Sequence, residues 1–373
     1  MKKIVVKNTA GMFDLLKGIA MISVIFLHTY ELFVSANVSV DGERAIAENA
    51  NLLSMMVDTV SGMLGRSLMP GLFVVCGYGF RKTSIKKCFE HQAKALLVPY
   101  AITMGLASVL HLITHFSLYR YFKGSLIETG RIFLGSLLGL SRTTYYFDIK
   151  IFSNGPNWFL LALFWGLILF DVILNYVPEK YIPITVFVAG VIGWLISLGN
   201  TVPFCLSQGF ISVLYIFMGY SIKKKKLFTK GLGNRAALIV SAYIILVLLP
   251  YGTMQFMGYA DDMADSLYPF GIITIVLKGL ASVLTVYLFL LLNVFRGPVS
   301  SFVRKIGRYS IYVICIHTIE MMGFPLYYFV NKCESDSALV PLVFAIVRTV
   351  VVIGICFAFV NIKGYLGNKK QTA

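Results

Sequence analysis

The chain has 373 residues, 58% of them hydrophobic and only 13% charged, with a mean hydropathy of +0.79. Apolar content this high, arriving in repeated runs, excludes a water-soluble domain and makes the chain a polytopic membrane protein. The 33 Lys and Arg against 17 Asp and Glu give a net charge of +16, read as loop charge that orients the chain in a bilayer and not as a nucleic-acid surface.

In chain order, windows of about 19 residues place apolar spans at 13–30, 60–80, 95–115, 157–175, 182–198, 208–222, 236–250, 267–293, 309–330 and 338–362. The first follows three lysines and lacks the small-residue end of a cleavable signal, so it reads as a retained helix. Segment 126–140 is too short to cross at about 1.5 Å per residue and holds Glu128 and Arg131; it is expected as a short membrane-associated, surface or re-entrant helix. Ten spans put the basic stretches at 81–94, 223–235 and 296–308, with Lys369 and Lys370, in the cytoplasm. The acidic loops at 31–58, 261–265 and 334–336 then lie outside. An eleventh span would carry Lys223 to the outside, against the charge rule. The expected fold is an all-α integral membrane bundle of about ten transmembrane helices with both termini cytoplasmic, residues 1–373 forming one domain. The six cysteines show no disulfide framework.

The first span holds Lys17 and His28, eleven residues and close to three turns apart, so they share a face about 16 Å apart along the axis. Hydrocarbon solvates neither group, which points to function. Asp14 is placed to pair with Lys17, and Glu31 is a candidate to orient the imidazole. His317 and Glu320 are spaced to pair on the ninth span, as a structural hydrogen bond or facing a cavity. Lys278, in the eighth, is a candidate counter-ion for such an acid. His111 and His115 share a helical face, but without a third ligand or an H-E-x-x-H pattern no metal is expected.

The run FDLLKGIAMISVIFLH resembles the opening signature of the acyltransferase-3 family of membrane-bound acyltransferases, matching at Asp14, Lys17, Gly18, Ile19, Ala20 and His28. Lys17 stands where that family usually has Arg, a point charge in place of a planar fork. PGLFVVCGYGFRK is similar to the second-span motif at Phe73, Gly77, Phe80 and Arg81, with Cys76 in the usual serine place. GPNWFLLALFW resembles the motif opening a central span, and IGRYSIYVICIHTIE matches the late motif at Gly307, Ser310, Tyr312 and His317. The four motifs stand in order along nearly the whole chain. The GYGF and NWFLLAL variants look most like the fucose O-acetylase-like branch.

The resemblance implies an O-acyltransferase, an O-acetyltransferase by expectation. It would carry an acyl group from cytoplasmic acyl-CoA (acetyl-CoA) to a hydroxyl of an extracytoplasmic glycan or lipid-linked sugar, in a bacterial cytoplasmic (plasma) membrane. His28 is then the expected base, with Lys17 at the inner end of the route. Arg81, Lys82 and Lys86 would hold the carrier's phosphates, although the charge rule alone also yields such a cluster. Asn157, Trp158, His317 and Glu320 are the expected substrate contacts, Trp158 having an interfacial-anchor reading beside it. Direct transfer and an acyl-enzyme both stay open. The alternative use of such a bundle is a proton-coupled transporter of a small polar solute, which buried His, Lys and Glu would also serve.

Overall fold

The computed structural model describes residues 11–41, 68–199, 201–230, 242, 261–330, 332 and 339–371. Within them seven helices are long and apolar enough to cross a bilayer: Asp14–Phe33, Ile85–Tyr119, Gly155–Tyr176, Glu179–Ser197, Pro203–Lys224, Ile272–Leu292 and Leu339–Tyr365. Two further apolar helices, Leu68–Gly79 and Ser310–Gly323, are shorter. The expected spans thus have helical counterparts except 236–250, which apart from residue 242 lies outside the described residues.

We number α1 (Asp14–Asp41), α2 (Leu68–Gly79), α3 (Ile85–Tyr119) and α4 (Phe122–Leu138), then the strands β1 (Thr144–Tyr146) and β2 (Ile149–Ile151). The helices α5 (Trp158–Tyr176), α6 (Ile182–Ser197) and α7 (Leu206–Lys224) follow. After them come α8 (Ile272–Leu292), α9 (Pro298–Arg308), α10 (Ser310–Gly323), α11 (Leu326–Val330) and α12 (Leu339–Gln371). Helix α5 buries most of its residues, and Phe164 and Phe170 share the core with Phe73 and Tyr215.

Small residues let these helices approach closely. A Cβ at Gly77 of α2 would stand 1.9 Å from the Ile216 carbonyl oxygen of α7, and one at Gly219 would stand 1.9 Å from that of Val74. The same device seats α9 on α1, where a Cβ at Gly307 would meet the Asp14 carbonyl oxygen at 1.9 Å. The sequence pattern made 296–308 a loop; it is instead a helix packed on the start of α1.

Segment 126–140 resolves into α4, which runs antiparallel along α3. The pairings are His111 Nδ1 with Thr129 Oγ1 and His115 Nδ1 with Ser125 Oγ, each 2.8 Å, and Tyr100 with the Ser136 carbonyl. The helix therefore returns alongside a spanning helix and does not lie across its end. Gly139 (φ 60°) caps it, with its own N–H bonded to Ser136 O and that of Leu140 to Gly135 O. An antiparallel hairpin of β1 and β2 then leads back to the start of α5.

The expected span at 309–330 is broken. Phe324, ahead of Pro325, is extended (φ −112°, ψ 137°), as a residue before proline prefers, and the helix stops at Gly323.

Charge divides the bundle. At one end lie the Lys17–Asp14 pair, Thr83 donating its N–H to Asp171 (3.1 Å), the Lys224–Glu179 pair, and Arg304 bonded to Asn293. Phe13 and Tyr78, with ring centres 5.2 Å apart, tie α1 to α2 there. The opposite end carries His28, Glu31 and the acids of the 261–265 turn.

Candidate active site

At the end away from the lysines a cavity of about 550 Å³ opens, lined by His28, Glu31, Arg142, Trp158, Asp262 and Asp265 among others. The i, i+3 spacing on α1 sets His28 Nδ1 2.8 Å from Glu31 Oε2. With Nδ1–H donating to that carboxylate, Nε2 keeps the lone pair and can accept a proton.

Behind His28 lies His317 of α10, 1% exposed, its ring stacked on that of His28 at 5.6 Å between centres and 28° between planes. Its Nδ1 is 3.3 Å from Glu320 Oε2. Glu320 in turn receives both arms of a guanidinium, Arg348 Nε and Nη2 donating to its two oxygens at 2.8 Å each. The remaining Arg348 nitrogen, Nη1, donates to Thr29 Oγ1 at 2.7 Å, next to His28 in sequence. Three helices, α1, α10 and α12, are thereby joined around two imidazoles.

The far wall is the turn at 261–267. Lys278 of α8 pairs with Asp261 at 2.7 Å. Asp262 Oδ1 accepts from the backbone N–H of Ala264 (2.6 Å) and Asp265 (3.1 Å). Gln208 Nε2 reaches Ser141 Oγ, Ala264 O and Ser266 Oγ at 2.7 to 2.9 Å. Arg142 bonds to Thr201 Oγ1 (2.7 Å) and to the Asp265 and Gly199 carbonyls (3.3 Å each). The counter-ion of Lys278 is therefore Asp261 and not Glu320.

A family model described as an acyltransferase domain (Acyl_transf_3) matches residues 12–361. The chain belongs to the acyltransferase-3 family. No curated protein and no solved structure matches it. The protein is thus a membrane-embedded acyltransferase, an enzyme that works with an acyl donor and an acceptor.

In this acyltransferase the residues singled out from sequence fall into two groups. His28 and Trp158 meet at the cavity, with His317 and Glu320 directly behind His28. Asn157 is fully buried beside Trp158, and neither polar atom of its amide has a hydrogen-bond partner. The turn that carries it packs on α10, where a Cβ at Gly155 would sit 3.0 Å from Met322. Lys17 lies at the opposite end, paired with Asp14 at 2.7 Å. Arg81, Lys82 and Lys86 are exposed where α2 gives way to α3, and join that end.

Sequence reasoning missed Arg348, Arg142 and Gln208. Arg348 had a signal, for it is the lone charged residue between 339 and 362. Arg142 and Gln208 had none, since each matters only through hydroxyls and backbone carbonyls that folding brings to it from distant segments. His111 and His115 are spent on Thr129 and Ser125. Among the described residues no group of three His, Cys, Asp or Glu is placed to hold a metal ion.

Proposed function

We propose that this acyltransferase moves an acyl group, in our reading acetyl, from cytoplasmic acyl-CoA to a hydroxyl of an extracytoplasmic glycan or lipid-linked sugar, modifying envelope polysaccharide from the bacterial cytoplasmic membrane. The observation that carries this reading is the His28–Glu31 pair set in a cavity at the end opposite the basic cluster. The charge rule puts the lysine-rich end in the cytoplasm, in a ten-span chain with both termini inside. The cavity then faces the acceptor's side of the membrane.

In this scheme the exposed Arg81, Lys82 and Lys86 bind the carrier's phosphates. Lys17 marks the inner end of the route along α1, and the pantetheine arm covers the roughly 16 Å from there to His28. His28 Nε2 takes the proton of the acceptor hydroxyl as that oxygen attacks the thioester carbonyl carbon. The C–S bond then breaks, and the departing thiolate takes the proton back from the imidazolium. Trp158 offers a sugar an aromatic face, Asn157 an amide for the acyl group, and His317 with Glu320 backs the base.

Membranes containing the protein, incubated with radiolabelled acetyl-CoA, are expected to transfer label to envelope polysaccharide. His28→Ala is expected to lower the rate by about 10²- to 10⁴-fold, the usual worth of a general base. Unchanged labelling in His28→Ala would sink the base assignment, and no label with the wild type would sink the acetyl-CoA donor.

A further inference from the structure

Arg348 is 5% exposed in the middle of an apolar helix, a costly place for a charge that no motif requires. Neutralising Glu320 needs only a cation, yet the contacts are those of a fork: two bonds to the two carboxylate oxygens and a third to Thr29. Thr29 is fully buried, and its hydroxyl donates to the Ile25 carbonyl at 2.7 Å, which leaves it an acceptor for Arg348. One leg of the fork therefore ends next to His28 and the other three residues from His317. Between these anchors the two rings stack.

We propose that Arg348 is a positioning residue for acyl transfer: by bridging Glu320 on α10 to Thr29 on α1 it sets the register of the two helices, and so holds His317 against the catalytic His28. The proposal rests on the reading of His28 as the base. Its rival is plain charge compensation, in which Arg348 and Glu320 merely cancel each other in the bundle. Compensation predicts that removing both charges together restores function. Positioning predicts that it does not.

The test compares Arg348→Lys, Thr29→Val and the charge-free pair Glu320→Gln/Arg348→Met, each purified and assayed for acyl transfer over ranges of donor and acceptor. We expect the double variant to melt within a few degrees of wild type but to lose about tenfold or more in kcat, with both KM values within about twofold. Arg348→Lys keeps the charge without the fork and should lose kcat as well, and Thr29→Val, which cuts one leg, should fall between. Wild-type kcat in the double variant or in Arg348→Lys overturns the proposal, and the two single variants decide it should the double variant not fold. Failure of the underlying reading shows separately, as wild-type turnover in His28→Ala.

Discussion

Replacing Gly77 by alanine probes how closely α2 and α7 are seated. The added Cβ would stand 1.9 Å from the Ile216 carbonyl oxygen and 2.6 Å from its carbon, while Gly219 makes the reciprocal contact at 1.9 Å with Val74. Both obstacles are backbone, so no side chain can swing away. The helices must part by about 1 Å before the contact reaches 3.0 Å. Overpacking of this kind costs about 1–3 kcal/mol, and a backbone obstacle puts it at the upper end. Flanking atom pairs pulled apart by that much also forfeit about a quarter to a half of their dispersion energy. Against this, alanine gains about 1 kcal/mol of helix propensity over glycine. The clash wins, leaving a net loss of about 2 kcal/mol.

Gly79 provides the control. It is exposed, and a Cβ there would meet nothing within 4 Å, so Gly79→Ala keeps the propensity gain without the clash. Thermal melting of the detergent-purified proteins, followed by tryptophan fluorescence, should show Gly77→Ala several degrees below wild type and Gly79→Ala at or above it. Because α2 ends just before Arg81, the Gly77 variant should also raise the KM for the acyl donor. Gly77→Ala melting like wild type, or an equal drop at both positions, would refute the close crossing.

Glu31→Gln removes the charge from the 2.8 Å bond to His28, between side chains 41% and 22% exposed. A partly solvated charge-assisted bond is worth about 1.5 kcal/mol, so initial rates at saturating substrate should fall about tenfold; a loss as deep as that of His28→Ala, or none, would count against an orienting role. Asn157→Leu takes an unpartnered amide out of the core and should leave the melting temperature unchanged or higher while acyl transfer drops. Full activity in that variant would mean the amide only packs. Lys278→Met strips Asp261 of its partner and loosens the 261–267 wall, so KM should rise more for the acceptor than for the donor; equal rises would detach that wall from acceptor binding.

Much of this was legible in the apolar runs and in the i, i+3 spacings. His28 with Glu31 and Lys17 with Asp14 are local pairs on one helix, fixed by about 100° per residue, and both form as the spacing requires. Long-range pairs were not legible. Lys278 has an acid seventeen residues back, in the turn before its own helix, and no periodicity distinguishes Asp261 from Glu320 as its partner. The stacking of His28 on His317 joins residues 289 positions apart, and only the packing of α1 on α10 creates it. Helix α4 was ambiguous because length and hydropathy describe a segment's affinity for lipid and say nothing of a neighbour. The bonds of His111 and His115 to Thr129 and Ser125 decide its course, and isolated side chains do not announce such partners.

Position 17 shows how the late part of the chain finishes what the first helix begins. Asp14 gives one oxygen to Lys17 at 2.7 Å, and its other oxygen faces Arg308 Nε at 3.9 Å. Arg308 is 68% exposed, so its pull is weak, and the pairing rests on Lys17. A single ammonium suffices for that, because a fork at 17 would meet a carboxylate whose second oxygen already looks toward a guanidinium from α9. Arg308 is brought there by Gly307, which sits against the Asp14 backbone where no side chain fits. About four turns farther along the same helix, Arg348 of α12 grips Thr29, one residue beyond His28. Helix α1, which carries Lys17 and His28, is thus met beside each of them by a guanidinium from the last quarter of the chain. The placement of these residues depends on helices that fold against them from more than 280 residues away.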